Sequence, residues 1–347
     1  MDFSNATLNR LAVHYVGNKN NQQPLLLSKK EQSPDKEYLE KFSQILLGKF
    51  SNCFERYSFH HTSSLDYNEV YNFSAAIFGE PETFLEQSSQ IASHLYEVSL
   101  HPKIKPGELY VTHFGDIMVG DRTVEGIGLF KAETKSLFVE LDPSDTGLDV
   151  YMKEGLEPSR IDKGCLVLNT DREKGFELII FDNASKGDEA QYWKDKFLGV
   201  LVNQNEFLHT HGFLTLTKNY VTKHLPDQFE VTKTDQIDLL NRSMDYFKSH
   251  DHFDKAEFEE TVLHHEGIID SFRKFDEQYR QNNAIGAADQ FEISPQAVKK
   301  QSKVFKSVIK LDRNFHIYVH GDRDLIERGF DEAQKKYFYK IWFDVEK

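Results

Sequence analysis

The chain has 347 residues, of which 39% are hydrophobic and 28% are charged. This composition is enough for folded cores and excludes an intrinsically disordered chain, and the length favours two domains. No apolar run approaches the ~20 residues needed to cross a bilayer, and residues 1–10 lack the basic and apolar regions of a signal peptide. Cys53 and Cys165 lie far apart in the sequence. Together these features predict a protein of the reducing cytoplasm.

The formal net charge of −14 argues at first against a nucleic-acid ligand, because an acidic protein repels phosphates. The distribution of the charges carries more information than their sum. Between Ile293 and Leu311 there is no Asp or Glu, and residues 293–313 together carry +5, which leaves −19 for the rest. One basic segment in an acidic protein is the strongest compositional indication of a contact surface.

The N-terminal part alternates predicted strands and helices. Short strands are expected at residues 11–16 and 24–27, followed by a helix at 35–47. Asp66 is a candidate cap for the next helix, and a further helix is expected to begin near Pro81, a residue favoured in the first turn.

From residue 107 to about 184 the apolar residues recur with period two, which is typical of strands separated by turns. Six strands are expected, at residues 109–114, 126–130, 137–141, 148–152, 164–169 and 176–181. This spacing predicts an antiparallel meander that the preceding helices cover on one face. The polar stretch 183–189 marks a domain boundary, so the expected domains are residues 1–187 and 188–347.

The second domain is predicted to be mainly helical. Helices are expected at residues 207–225 with a stop at Pro226, at 233–247, after a capping box formed by Asp254 and Glu257, and at 268–279. Two aromatic strands, at 315–319 and 337–343, are expected to pair as a closing hairpin. The predicted fold class is therefore α+β, with N-terminal helices and an antiparallel β-meander followed by a mainly helical C-terminal domain closed by a β-hairpin.

A basic helix is predicted over residues 294–311. Ser294 can cap it, and Pro295 suits the first helical position. At 100° per residue the lysines share one face and the apolar residues occupy the other, which gives a line of ammonium groups about 16 Å long at ~1.5 Å per residue. Lysine suits a phosphate backbone as a point charge, without base readout. The candidate DNA-binding residues are Gln296, Lys299, Lys300, Lys303, Lys306, Lys310 and Arg313.

Two alternatives and one extension of this interpretation stay open at this point. The lysines could form an ordinary solvated helix face, or acidic helices elsewhere in the chain could neutralise them. The extension is a helix-turn-helix over residues 287–298, which would place Gln296, Lys299 and Lys300 near the start of a recognition helix. Glu292 departs from this pattern, because it occupies the turn where glycine is usual.

Catalytic and metal-binding patterns give no positive indication. Close histidine pairs occur at residues 60–61, 209–211, 250–252 and 264–265, but none has the His-Glu-x-x-His spacing that places two ligands and a base on one helix face. No phosphate-binding glycine loop and no Gly-x-Ser-x-Gly elbow occurs. We therefore expect no enzyme, no metal and no cofactor. His316 and His320 could add pH-dependent phosphate contacts.

The chain also resembles the bacterial nucleoid-associated protein family of the NdpA type. The resemblance rests on the segments 107–111 (GELYV), 162–170 (DKGCLVLNT), 190–197 (AQYWKDKF), 297–311 (AVKKQSKVFKSVIKL) and 314–321 (NFHIYVHG), and it extends over nearly the whole chain. It implies association with the nucleoid and DNA binding, with no catalytic residues and no cofactor.

Three functions follow as hypotheses. The first is a non-catalytic, nucleoid-associated protein that binds double-stranded DNA with weak or no sequence specificity through the basic helix; a homodimer would double its phosphate contacts. The second is an adaptor whose acidic body binds a protein partner, such as a DNA-handling enzyme. The third is a metal-dependent nuclease.

Overall fold

The protein, analysed as a computed structural model, is described over residues 1–145, 147–157, 160–183, 192–283, 288–303, 305, 308–311, 315–318 and 325–345. The chain divides into two compact units, Met1–Asn203 and Gln204–Lys347. The predicted boundary at residue 187 lies before the segment Tyr192–Leu198 and the strand Val200–Val202. That strand belongs to the first unit, because it pairs with residues 57–59.

The first unit is built on strands and a few helices. Its strands are β1 Thr7–Val16, β2 Leu25–Leu26, β3 Tyr57–Phe59, β4 Gly107–Val119, β5 Arg122–Ala132, β6 Lys135–Ser144, β7 Gly147–Leu156, β8 Lys163–Leu168, β9 Glu177–Asp182 and β10 Val200–Val202. Its helices are α1 Lys36–Gly48, α2 Glu69–Gly79 and α3 Phe84–Val98, with 3₁₀ turns at Lys49–Asn52, Leu65–Tyr67, Pro81–Thr83 and Arg172–Lys174 and a π-helical segment at Tyr192–Leu198.

Eight of these strands form one antiparallel sheet in the order β10-β3-β9-β8-β5-β4-β1-β2. Helices cover both of its faces, not one face as predicted. Ile127 and Leu129 of β5 pack with α2, α3 and the segment Tyr192–Leu198, whereas Phe130 and Ala132 pack with α1 and the following turn. Both faces of β8 are therefore buried.

All six strands expected between residues 107 and 184 are present as β4 to β9, but they do not form one meander. β5 pairs directly with β8, and β6 and β7 form a two-stranded sheet of their own. Period two locates strands but does not identify their partners. The predicted cap of α2 was wrong by two residues, since the Asn68 side chain accepts the Tyr71 N–H and Asp66 lies in the preceding turn.

A buried charged cluster lies in the middle of the large sheet, where β5 and β9 end and β8 begins. Lys163 donates to both carboxylate oxygens of Asp182, at 2.8 and 2.9 Å. Lys131, its register partner on β5, lies 3.1 Å from Glu133 and donates to the Tyr192 hydroxyl at 3.2 Å. Burial lowers the pKa of Lys131, although the Glu133 carboxylate opposes this shift. The cluster ties the segment that begins at Tyr192 to the sheet.

We expect Asp182→Asn to lower the free energy of unfolding by about 3–5 kcal/mol, because it removes one charge of a buried ion pair. Urea denaturation followed by circular dichroism measures this loss. Lys41→Gln is the control, since Lys41 pairs with Glu37 on the exposed surface of α1, where such a pair contributes little. An Asp182→Asn protein as stable as the control would contradict the assignment.

The second unit is mainly helical. Its helices are α4 Glu206–Asn219, α5 Leu225–Gln228, α6 Lys233–Ser249, α7 Lys255–Phe258, α8 Glu266–Asn283 and α9 Pro295–Ser302, with π-helical segments at Tyr220–His224 and Glu259–Leu263. Its strands are β11 His252–Asp254, β12 Gln290–Glu292, β13 Val308–Leu311, β14 Phe315–Tyr318, β15 Ile326–Asp331 and β16 Lys336–Ile341.

An aromatic cluster forms the core of this unit. The Phe213 ring of α4 lies between 4.3 and 5.9 Å, centroid to centroid, from Phe247, Phe253, Phe258 and Phe272. The predicted start at Asp254 is confirmed, because its side chain accepts the N–H groups of Ala256 and Glu257. The reciprocal half of the predicted capping box is replaced by a hydrogen bond in which the Glu257 carboxylate accepts the Tyr246 hydroxyl.

Two expectations for this unit were wrong. Pro226 does not stop the helix, which continues through the π-helical segment into α5 and ends at Gln228. The closing hairpin is present, but its strands are β15 and β16. The strand at 315–318 pairs instead with β13, because the alternating apolar residues of 308–311 offer it a nearer partner.

Candidate nucleic-acid interface

The basic segment is not one helix. The helix α9 begins where predicted, with Ser294 as its cap and Pro295 in its first turn, but it ends at Ser302. Residues 308–311, expected as its last turn, form β13. Ile309 is buried beside Ile237 of α6 in this arrangement. The predicted helix over 294–311 and its continuous line of ammonium groups are therefore corrected to a short helix followed by a strand.

The helix-turn-helix was also wrong. Ala288 lies outside any helix, and residues 290–292 form β12, which pairs with β11. The Phe291 ring explains this strand, because it lies 4.6 Å from Phe253 and 5.5 Å from His209, in stacked geometry, inside the aromatic core. Residue 287, the first of the proposed motif, lies outside the described residues.

The buried side of α9 fixes its position on α4. Ala297, Val298 and Gln301 are buried. The backbone N–H of Ser294 donates to the Thr210 hydroxyl at 3.0 Å in a buried position, and the Gln301 side-chain amide donates to the Thr215 hydroxyl at 2.9 Å. These two hydrogen bonds hold both ends of α9 against the same helix. No motif or spacing in the sequence singles out either threonine.

The opposite side of α9 is exposed and positively charged. Gln296, Lys299, Lys300 and Lys303 are all exposed, and we call the three lysines the lysine surface. In the described part of the chain, no carboxylate oxygen lies within 4 Å of their ammonium groups. Lys300 lies over the Phe207 ring of α4, 5.5 Å from its centroid. The side-chain oxygen of Gln296 accepts a hydrogen bond from the Ser294 hydroxyl.

The remaining predicted contact residues are placed only in part. Lys310 belongs to β13, and its register partner is His316 of β14. Lys306, Arg313 and His320 lie outside the described residues, so their assignments stay predictions. Of the seven candidates, the structure thus brings Gln296, Lys299 and Lys300 together on α9, with Lys303 as the residue that follows its last turn.

Several histidines pack against aromatic rings of the protein itself. His209 and His211 of α4 contact different rings, Phe291 of β12 and Phe207 of α4, as expected from their spacing. Burial lowers the pKa of His209, with Arg280 adding to the shift. His250 stacks on Tyr246 at 4.2 Å. No group of three or more His, Cys, Asp or Glu able to hold a metal ion occurs among the residues that the structure describes.

A histidine-lined cleft in the first unit was missed by the sequence analysis. It encloses about 600 Å³ and is lined by His60, His61 and His94, among others. The two ring nitrogens of His94 are already engaged, one by the Glu69 carboxylate and the other by the Phe197 carbonyl at 3.0 Å. This histidine therefore anchors residue 197 to α2 rather than presenting a free nitrogen to the cleft.

The comparison with protein families decides the membership of the chain. A profile described as Nucleoid-associated protein YejK matches residues 12–339. The chain belongs to this nucleoid-associated protein family. The match confirms the resemblance drawn from the sequence, and it covers both units. A search of curated proteins finds no match. Nucleoid association is the property that membership gives to the chain, and in the described residues no helix is long and apolar enough to cross a membrane.

We expect Thr210→Val to lower the free energy of unfolding by about 1–3 kcal/mol, because it leaves the buried Ser294 N–H without an acceptor. Thermal or urea unfolding measures this change. Thr217→Val is a matched control on the same helix, since the Thr217 hydroxyl is buried and has no hydrogen-bond partner in the described part of the chain; its loss should be neutral or stabilising. Equal effects of the two substitutions would show that the Thr210 hydroxyl does not anchor α9.

Proposed function

We propose that the protein binds DNA through the lysine surface of α9 and acts in the nucleoid without catalysis. The observation that carries the proposal is that three neighbouring ammonium groups face solvent with no carboxylate partner among the residues that the structure describes, in a chain with net charge −14. In such an acidic protein a merely soluble helix face would be expected to carry glutamate as well as lysine. Family membership supplies the independent support.

The geometry favours contacts with the phosphate backbone. Lys299 and Lys303 are one helical turn apart, about 6 Å along the axis at ~1.5 Å per residue, and Lys300 lies beside them. Ammonium groups on flexible stems bind phosphates as point charges and do not read bases by themselves. We therefore propose weak or no sequence specificity, with double-stranded DNA as the ligand. Lys306, Lys310 and Arg313 would extend the same contact surface.

The acidity of the chain limits how the protein can bind. The rest of the chain repels the polyanion, so only the basic segment can approach it closely. With five or six phosphate contacts the logarithm of the binding constant should fall against the logarithm of salt concentration with a slope of about −5. A local contact of this kind is compatible with nucleoid association but not with continuous coating of DNA.

The test is the double substitution Lys299→Gln with Lys303→Gln. Because each lost phosphate contact removes about 0.9 from the salt slope, we expect the slope to become shallower by about 2, with a weaker affinity at low salt. Fluorescence anisotropy on duplex and single-stranded DNA of the same sequence, at four or more salt concentrations, measures both quantities and the preference between the two forms.

The control is Lys36→Gln with Lys41→Gln on α1. This pair changes the net charge by the same amount, and both lysines are exposed but already paired, with Glu40 and Glu37. We expect the control to keep the salt slope of the unmodified protein. The proposal fails if the two double variants shift the slope equally, since the effect would then belong to net charge and not to the lysine surface.

A further inference from the structure

The hairpin of β6 and β7 has one apolar face and one polar face. In an antiparallel pair, residues directly opposite each other lie on the same face, and successive residues alternate. Val139 is opposite Met152, Leu141 is opposite Val150, and Pro143 is opposite Leu148. Leu137 continues this face toward the base of the hairpin. The other face carries Phe138, Glu140, Asp142, Asp149, Tyr151 and Lys153.

The apolar face is exposed to solvent. Leu137, Val139, Leu141, Leu148, Val150 and Met152 each retain between 54 and 67% of their accessible surface. A hairpin of two strands is at best marginally stable in water without further packing. A contiguous apolar patch on a soluble monomer rarely exceeds about 300–600 Å², and larger ones mark interaction sites.

We propose that this face is a self-association surface, on which the hairpins of two copies of the chain pack face to face. The size of the patch fits this partner. Six side chains of this kind together present roughly 600–700 Å², close to the about 800 Å² that each partner buries in an interface of standard size. Two stacked hairpins would form a small sandwich with the usual spacing of about 10 Å between sheets.

The arrangement of charges on the hairpin also favours a second copy of the chain as the partner of the apolar face. The centre of the apolar face carries no charged residue, and Glu154, opposite Leu137, lies at its edge. Two identical faces can therefore meet without placing like charges against each other. The Asp142–Asp149 pair and the Glu140–Lys153 ion pair lie on the opposite face and would stay in water in the dimer. A partner chosen for its basic charge would instead be drawn to that acidic face.

Self-association through the apolar face does not involve the lysine surface. It should also respond to salt in the opposite direction from DNA binding. Two bodies with a formal charge of −14 repel each other at long range, so salt should strengthen an association made by apolar side chains. DNA binding weakens with salt. If two copies were held together only by binding the same DNA molecule, they would dissociate at high salt. The dimer proposed here should be most stable at high salt.

The experiment is sedimentation velocity on the full chain after nuclease treatment, from 1 to 100 μM protein at low and high salt. We expect a dimer that strengthens with salt. Val139→Asp should weaken it at least tenfold, because it places two carboxylates in the apolar interface. Val139→Lys should do the same. An equimolar mixture of the two variants should restore dimers, since the introduced charges are then opposite.

The mixture separates self-association from misfolding, because two unfolded variants cannot rescue each other. Glu140→Lys is the control on the opposite face and should leave the dimer intact. A monomeric unmodified protein at 100 μM overturns the proposal, and so does a dimer that is unaffected by both Val139 variants. If either Val139 variant alone forms dimers as stable as those of the unmodified protein, the interface lies elsewhere.

Discussion

The attachment of α9 to α4 determines what the second unit offers to a ligand. Ala297, Val298 and Gln301 are buried on one side of a two-turn helix, so the lysines between and beyond them must face outward. A helix of eight residues is too short to be stable by itself, and its hydrogen bonds to Thr210 and Thr215 provide the missing tertiary support. The charged surface depends on these polar anchors as much as on the apolar core.

The first unit has its core on both sides of one large sheet. Its sheet is buried on both faces, and its buried lysines are compensated one by one, as in the contact between Lys163 and Asp182. The hairpin of β6 and β7 leaves this sheet after β5, and six of its apolar side chains stay exposed to solvent. A segment that is patterned like a core strand but stays exposed suggests that its burial requires another molecule.

Local signals in the sequence predicted the starts of elements better than their ends and partners. Ser294 and Pro295 identified the start of α9, and period two located every strand from β4 to β9. The end of α9 was missed because residues 303–311 contain neither Gly nor Pro, and the pairing of Ile309 with Ile317 depends on a strand six residues or more away. β12 was missed for the same reason, since Phe291 is placed by the aromatic core and not by its neighbours.

The most direct measurement of the central claim is lysine labelling with and without DNA. A water-soluble acylating reagent, followed by peptide mass spectrometry, reports the accessibility of each ammonium group. The account predicts that Lys299, Lys300 and Lys303 react readily in the free protein and are protected several-fold by duplex DNA, whereas Lys36 and Lys41 are not. Equal protection at both sites, or low reactivity of the α9 lysines in the free protein, would contradict it.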